Sequence, residues 1–127
     1  MPDVELQDIE TMLIPFVAQH SGVPAHTLVP KNRPDEFVRV WRTGGTAVNQ
    51  ALEEAQVTVE CWGKTTIRAA QIAQKARGGF LRDLKSLKLV RGSQEVTGPY
   101  YDPDPDTGIP RYSFTIRLSV RAKRIEE

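Results

Sequence analysis

Three aspartates at every second position, Asp102, Asp104 and Asp106, alternate with prolines in the stretch GPYYDPDPDTGIPRY, residues 98–112. Carboxylates at this spacing match the first, third and fifth positions of a calcium-binding loop. Such a loop also needs glycine at its sixth position and a bidentate glutamate at its twelfth, and here those places hold Thr107 and Ser113. Pro103 and Pro105 stiffen a backbone that would have to wrap around the ion. A small metal-dependent enzyme built on the three aspartates is the chemical alternative, but no histidine or glutamate lies nearby in sequence to complete its site. The reading that fits better is a solvated, proline-stiffened connection into the next strand, turned by Asp106, Thr107 and Gly108.

Other chemistry-bearing patterns are incomplete. WGKTT, residues 62–66, resembles the end of a phosphate-binding loop, but the glycine required five positions before Gly63 is Thr58. His20 and His26 have no nucleophile elbow or His-Glu-x-x-His helix around them. Cys61 is the single cysteine, so no intrachain disulfide forms, and its alternation with Val57 and Val59 points it into a core as an inert thiol. No catalytic residue, metal ligand or cofactor site is expected. Arg111, Arg117 and Arg121 recur on one side of the last strand as a basic stripe, read either as a solvated face or as a contact with a protein partner or DNA. The formal net charge of +1 argues against general nucleic-acid binding, which needs many cations to neutralise phosphates.

These residues must be positioned by elements that the hydrophobic spacing outlines. From Asp3, the residues Val4, Leu6, Ile9, Leu13, Phe16 and Val17 suggest an amphipathic helix ending near Ser21 and Gly22, kinked or stopped early by Pro15. Residues 27–29 read as a short extended piece, followed by a polar turn with Pro30 and Pro34. FVRVWRT reads as a strand with Phe37, Arg39 and Trp41 on one face, Val38, Val40 and Arg42 on the other, and an end at Gly44 and Gly45. QVTVECW places Val57, Val59 and Cys61 toward a core and Thr58, Glu60 and Trp62 away from it. Thr65 or Thr66 caps a second helix through Ile67, Ala70, Ala73, Ala76, Phe80 and Leu84, with a bend or break at Gly78 and Gly79. After an extended LKLVRGSQEV, the residues Tyr112, Phe114, Ile116, Leu118 and Val120 alternate with Ser113, Thr115, Arg117, Ser119 and Arg121 in a long half-buried strand.

A chain of 127 residues with two helical patterns and about five extended ones predicts a single α+β domain. Its sheet is mainly antiparallel, of four to five strands, with two helices packed on one face. Phe114, Ile116 and Leu118 are expected to pack under the second helix with Val59, Ala73 and Ala76. No apolar run approaches the ~20 residues that span a bilayer, and the acidic N-terminal stretch does not resemble a secretory signal. A protein made in the cytosol is the expectation.

Three stretches resemble the tail terminator proteins of long-tailed bacteriophages, also called minor tail or tail-to-head joining proteins. They are RPDEFVRVWRTGG (33–45), VTVECWGKTTIRAAQIAQKAR (57–77) and GPYYDPDPDTGIPRYSFTIRLSVRA (98–122), the last being the most specific. The resemblance implies a structural virion subunit with no enzymatic role. It would form a ring, a hexamer, on the head-proximal end of the tail tube, existing as a monomer before assembly. Its implied partners are copies of itself, the tail tube protein and the head connector, with no membrane and with DNA at most passing through the ring. A head-completion or neck protein is the nearest alternative. On this reading Asp102, Asp104, Asp106, Arg111, Arg117 and Arg121 are candidates for the subunit or partner interface.

Overall fold

The computed structural model describes residues 4–5 and 8–124, with side chains for residues 8–122. The elements in chain order are β1 (Val4–Glu5), α1 (Ile9–Ser21), β2 (Ala25–His26), β3 (Phe37–Ala47), β4 (Leu52–Trp62), α2 (Thr66–Arg82), β5 (Val90–Tyr101), β6 (Arg111–Arg121) and β7 (Lys123–Arg124), with a 3-10 turn at Leu84–Ser86 before β5. Strands order as β2-β3-β4-β6-β5 in one five-stranded sheet, and β1 pairs with β7 separately. Only β2 runs parallel to its neighbour, so the sheet is mixed but mainly antiparallel, in an α+β fold.

Both helices lie on one face of the sheet. Val38 and Val40 from β3, Val57, Val59 and Cys61 from β4, and Phe114, Ile116, Leu118 and Val120 from β6 share a core with Leu13, Phe16 and Val17 of α1 and Ile72, Ala73, Ala76 and Phe80 of α2. The alternation of the last strand therefore reports its buried face correctly, and the expected packing of Phe114, Ile116 and Leu118 with Val59, Ala73 and Ala76 is present. Arg42 and Glu53 close one end of this core. Glu53 is 1% exposed and receives both guanidinium nitrogens of Arg42, at 2.9 and 3.2 Å. A buried carboxylate is tolerable only when so paired.

Several expectations change. The first helix begins at Ile9 with Asp8 as its cap, Val4 belongs to β1, and Leu6 lies outside the described residues. Pro15 neither stops nor shortens α1, which runs to Ser21 and ends on Gly22 in the left-handed conformation. The extended piece is Ala25–His26 rather than 27–29, because it is Ala25 and His26 that find partners in Val38 and Arg39. Gly44 and Gly45 do not end β3; they carry it through a bulge, at positive φ values of 151° and 109°, to Ala47. A side chain at Gly45 would collide with the Glu54 carbonyl across the ladder, which explains why glycine stands there.

The second helix also continues through Gly78 and Gly79 to Arg82. At Gly79 the two helices touch closely: an added Cβ would meet three atoms of His20, the most distant at 3.0 Å. His20 in turn reaches Asp83 at the end of α2, Nε2 to Oδ2 at 2.9 Å. The buried side of α2 is set by Ala69, Ile72, Ala73, Ala76 and Phe80, whereas Ile67 is exposed. No helix among the described residues is long and apolar enough to cross a membrane.

Candidate functional site

The sheet face without helices carries a second cluster, built where the starts of β3 and β6 meet the end of β4. Antiparallel register sets Phe37 opposite Trp62 and Trp62 opposite Arg111, then Arg39 opposite Glu60 and Glu60 opposite Ser113. Side chains in such rows are neighbours on one face. Phe37 and Trp62 stack with ring centres 4.4 Å apart, and both are almost fully buried. What buries them is loop 102–110 together with Arg33 from loop 27–36.

Asp104 is the pin of that loop. Its Oδ2 accepts from Trp62 Nε1 at 2.9 Å and from Arg33 Nη1 at 3.2 Å, and its Oδ1 accepts from the Asp106 amide at 2.9 Å. Its own amide donates to the Ile109 carbonyl and its carbonyl accepts from Gly108, which tightens the turn. Burial by itself pushes the Asp104 carboxyl up. The bonds from Trp62, the Asp106 amide, Arg33 and the Thr107 amide outweigh it and hold the group well below the usual carboxylate range.

Asp102 is tied down as well. Its Oδ2 accepts from Ser113 Oγ at 2.8 Å and Arg111 Nη2 at 3.0 Å, while Arg111 Nε donates to its carbonyl at 2.7 Å. Arg111 also reaches Glu60 Oε2 at 3.1 Å, and Arg39 lies 3.6 Å from Glu60 Oε1. That Oε1 atom is buried without a hydrogen bond among the described residues. Burial raises the Glu60 carboxyl above its ordinary value, opposed by Arg111 and Arg39 and reinforced by the nearby Asp102 and Asp104. Three guanidinium groups thus face three carboxylates, and the cluster is electrically balanced.

Of the six candidate interface residues, the structure brings three together: Asp104 and Arg111, turned inward, and Asp102, paired with Arg111 but a third exposed. The expectation of a wholly solvated loop is corrected at Asp104, which is 5% exposed. Asp106 is exposed. Arg117 and Arg121 lie farther along β6, opposite Gln56 and Leu52, with Arg117 3.9 Å from Glu54 and Arg121 exposed. At ~3.3 Å per residue the ten steps from Arg111 to Arg121 span about 33 Å, so the three arginines do not form one patch. The first of them is internal: only 11% of its side chain is exposed. Ser113, assigned to the solvent side by alternation, is buried for the same reason, under the loop that Asp102 anchors.

The alternation pattern missed Arg33, Phe37, Glu60, Trp62 and Ser113 as partners of the loop. The available signal was two aromatic rings, Phe37 and Trp62, on the face turned away from the helices. Further along the same face the surface is polar, with Arg39 stacked 3.8 Å from the centre of the Trp41 ring and the hydroxyls of Thr43, Thr58 and Thr115 in hydrogen-bond contact at 3.0 and 3.2 Å.

Chemically the cluster positions a loop. Among the described residues no three His, Cys, Asp or Glu side chains converge to hold a metal ion. Cys61 is buried under α2, and burial pushes its thiol up, away from the reactive thiolate. No protein-family model and no curated protein matches the sequence.

Proposed function

We propose that this chain is a ring-forming structural subunit of a phage virion, a tail terminator that caps the head-proximal end of the tail tube, stops its polymerisation and joins it to the head connector. The reading rests on the resemblance of residues 33–45, 57–77 and 98–122. One structural observation supports it: the sheet has two unlike open edges. The outer side of β5 has no strand partner among the described residues, and β2 covers the outer side of β3 only at Val38 and Arg39, so residues 40–47 have a strand neighbour only on their β4 side. Glu10 accepts from the Arg42 amide on that side.

The strand directions favour a head-to-tail contact. In the antiparallel run β3-β4-β6-β5, β3 and β6 point one way and β4 and β5 the other. A neighbour in the same orientation brings its β3 antiparallel to β5, the arrangement with the better hydrogen-bond geometry. Contacts between two different patches close into rings when the rotation closes. Light scattering coupled to gel filtration tests the reading, run on the chain alone and with tail tubes. The expected result is a hexamer, or a monomer that becomes a ring on tube ends; a stable dimer under both conditions overturns it. Particles made without the subunit should carry overlong tails, whereas tailless heads would assign it to the neck instead.

A further inference from the structure

The turn that joins α2 to β5 is basic and tightly folded. Residues 82–91, RDLKSLKLVR, carry Arg82, Lys85, Lys88 and Arg91 against a single acid, Asp83, which is occupied by His20 at 2.9 Å. The amides of Ser86, Leu87 and Val90 donate to the carbonyls of Asp83, Leu84 and Leu87 in succession, and Leu87 is buried beneath the turn. Lys85, Lys88 and Arg91 are exposed. Between the last two, Leu89 is the one residue other than glycine with a positive φ among the described residues, at 69°. Side chains disfavour that conformation, and it persists where the surrounding structure imposes it. The Leu89 carbonyl accepts from the Arg121 amide at 2.8 Å, which brings the end of β6 beside the turn.

Lys85, Lys88, Arg91 and Arg121 thus meet at one corner of the sheet, and none has an ion pair among the described residues. The corner has two flanks. Lys88 borders a hollow beside Met12, Pro15 and Phe16 on the helix side, whereas Arg121 follows the buried Val120 and projects to the helix-free face. β5 is the last strand of the sheet, so no further strand among the described residues lies over the ridge between them. The geometry points to this corner as a contact for the phosphate backbone of duplex DNA, bound without regard to sequence. A ridge with cations on both flanks matches a groove bordered by phosphates on both sides, the major groove being about 12 Å wide. A flat anionic membrane or an acidic protein surface meets one flank at a time. The whole-chain charge of +1 does not oppose the contact, because Glu36, Glu53, Glu60, Asp102 and Asp104 are already paired with other arginines. The inference does not depend on the ring reading, since all four cations belong to one chain.

Fluorescence anisotropy of a labelled duplex oligonucleotide, titrated with the full chain, tests it. Neutralising four phosphates should cost roughly a hundredfold in affinity between about 50 and 200 mM salt. Lys88→Glu with Arg121→Glu, one change on each flank, should lower affinity at least roughly tenfold, whereas Lys31→Glu with Lys75→Glu should lower it less than about threefold. The second pair makes the same change of net charge elsewhere, and all four sites are exposed, so both variants should melt like the unmodified chain. Affinity independent of salt, equal losses in the two pairs, or no binding at the lower salt concentration would each overturn the proposal. Tighter binding to polyglutamate or to phosphatidylglycerol vesicles than to the duplex would also overturn it, and would assign the corner to an acidic protein or a membrane.

Discussion

The two faces of the sheet are stabilised by different physics. Under the helices, apolar side chains from β3, β4 and β6 interlock with α1 and α2, and one ion pair, Arg42 with Glu53, closes the end. On the other face, the buried region is small, and its aromatic pair is held by hydrogen bonds and charges brought in from two loops. The first face depends on volume and the second on polar satisfaction. A lost methyl group on one and a lost acceptor on the other should therefore fail in different ways.

The largest expected effect is on the helix face. Phe114→Ala, at a fully buried site between α2 and β4, should lower stability by about 3–5 kcal/mol in urea melts. A loss below about 1 kcal/mol would mean that this face is not the main core. On the other face, Asp104→Asn should cost about 1–3 kcal/mol, because it leaves Arg33 without its anion and replaces an acceptor beside Trp62. The fluorescence of Trp62 should change with it. An unaltered melt would show that loop 102–110 is held by its prolines alone.

Gly79→Ala probes the helix contact over the core. The gain in helix propensity, about 1 kcal/mol, should be outweighed by overpacking against His20, for a net loss of about 1–2 kcal/mol. The same change in a His20→Ala background should then be neutral or stabilising, which separates the clash from any general effect of alanine.

The charged cluster should also give two opposite pH signatures. Asp104 is held below its ordinary value of 3.8, so its contribution is complete above that pH and fades as pH falls toward its depressed native value. Glu60 is raised above its ordinary value of 4.5, so its ionisation costs stability as pH rises through the window between that value and the raised one. Melts across pH 2–7 should therefore show Asp104→Asn flattening the acid-side loss. Glu60→Gln should gain on the unmodified chain as pH rises above about 4.5. Parallel profiles for all three proteins would contradict this account of the cluster. The smallest effect is reserved for Asp106→Asn and Arg121→Ala, both exposed, which should each change stability by no more than about 0.5 kcal/mol.

Local pattern and tertiary structure divide cleanly in this molecule. Period-two alternation in residues 112–120 and 57–61 identified the strands and their buried face, because half-burial repeats with the pleat itself. Thr65 was legible as a helix cap, its hydroxyl accepting from the Arg68 amide at 3.1 Å. What alternation could not report is cover arriving on the opposite face: Trp62, Glu60 and Ser113 read as solvent-facing until loops 27–36 and 102–110 close over them. Likewise the three aspartates look equivalent along the chain, yet the fold buries Asp104 beside Trp62 and Arg33, 42 and 71 residues away in sequence, and leaves Asp106 in water. Gly78 and Gly79 look like a helix break because propensity is a local quantity, yet the helix continues to Arg82, and the close approach of His20 of α1 is what calls for a glycine at 79. The sequence determined which residues could be strands, helices and turns. Contacts between residues far apart decided which charges are internal, since burial and pairing depend on three-dimensional neighbours that no short window contains.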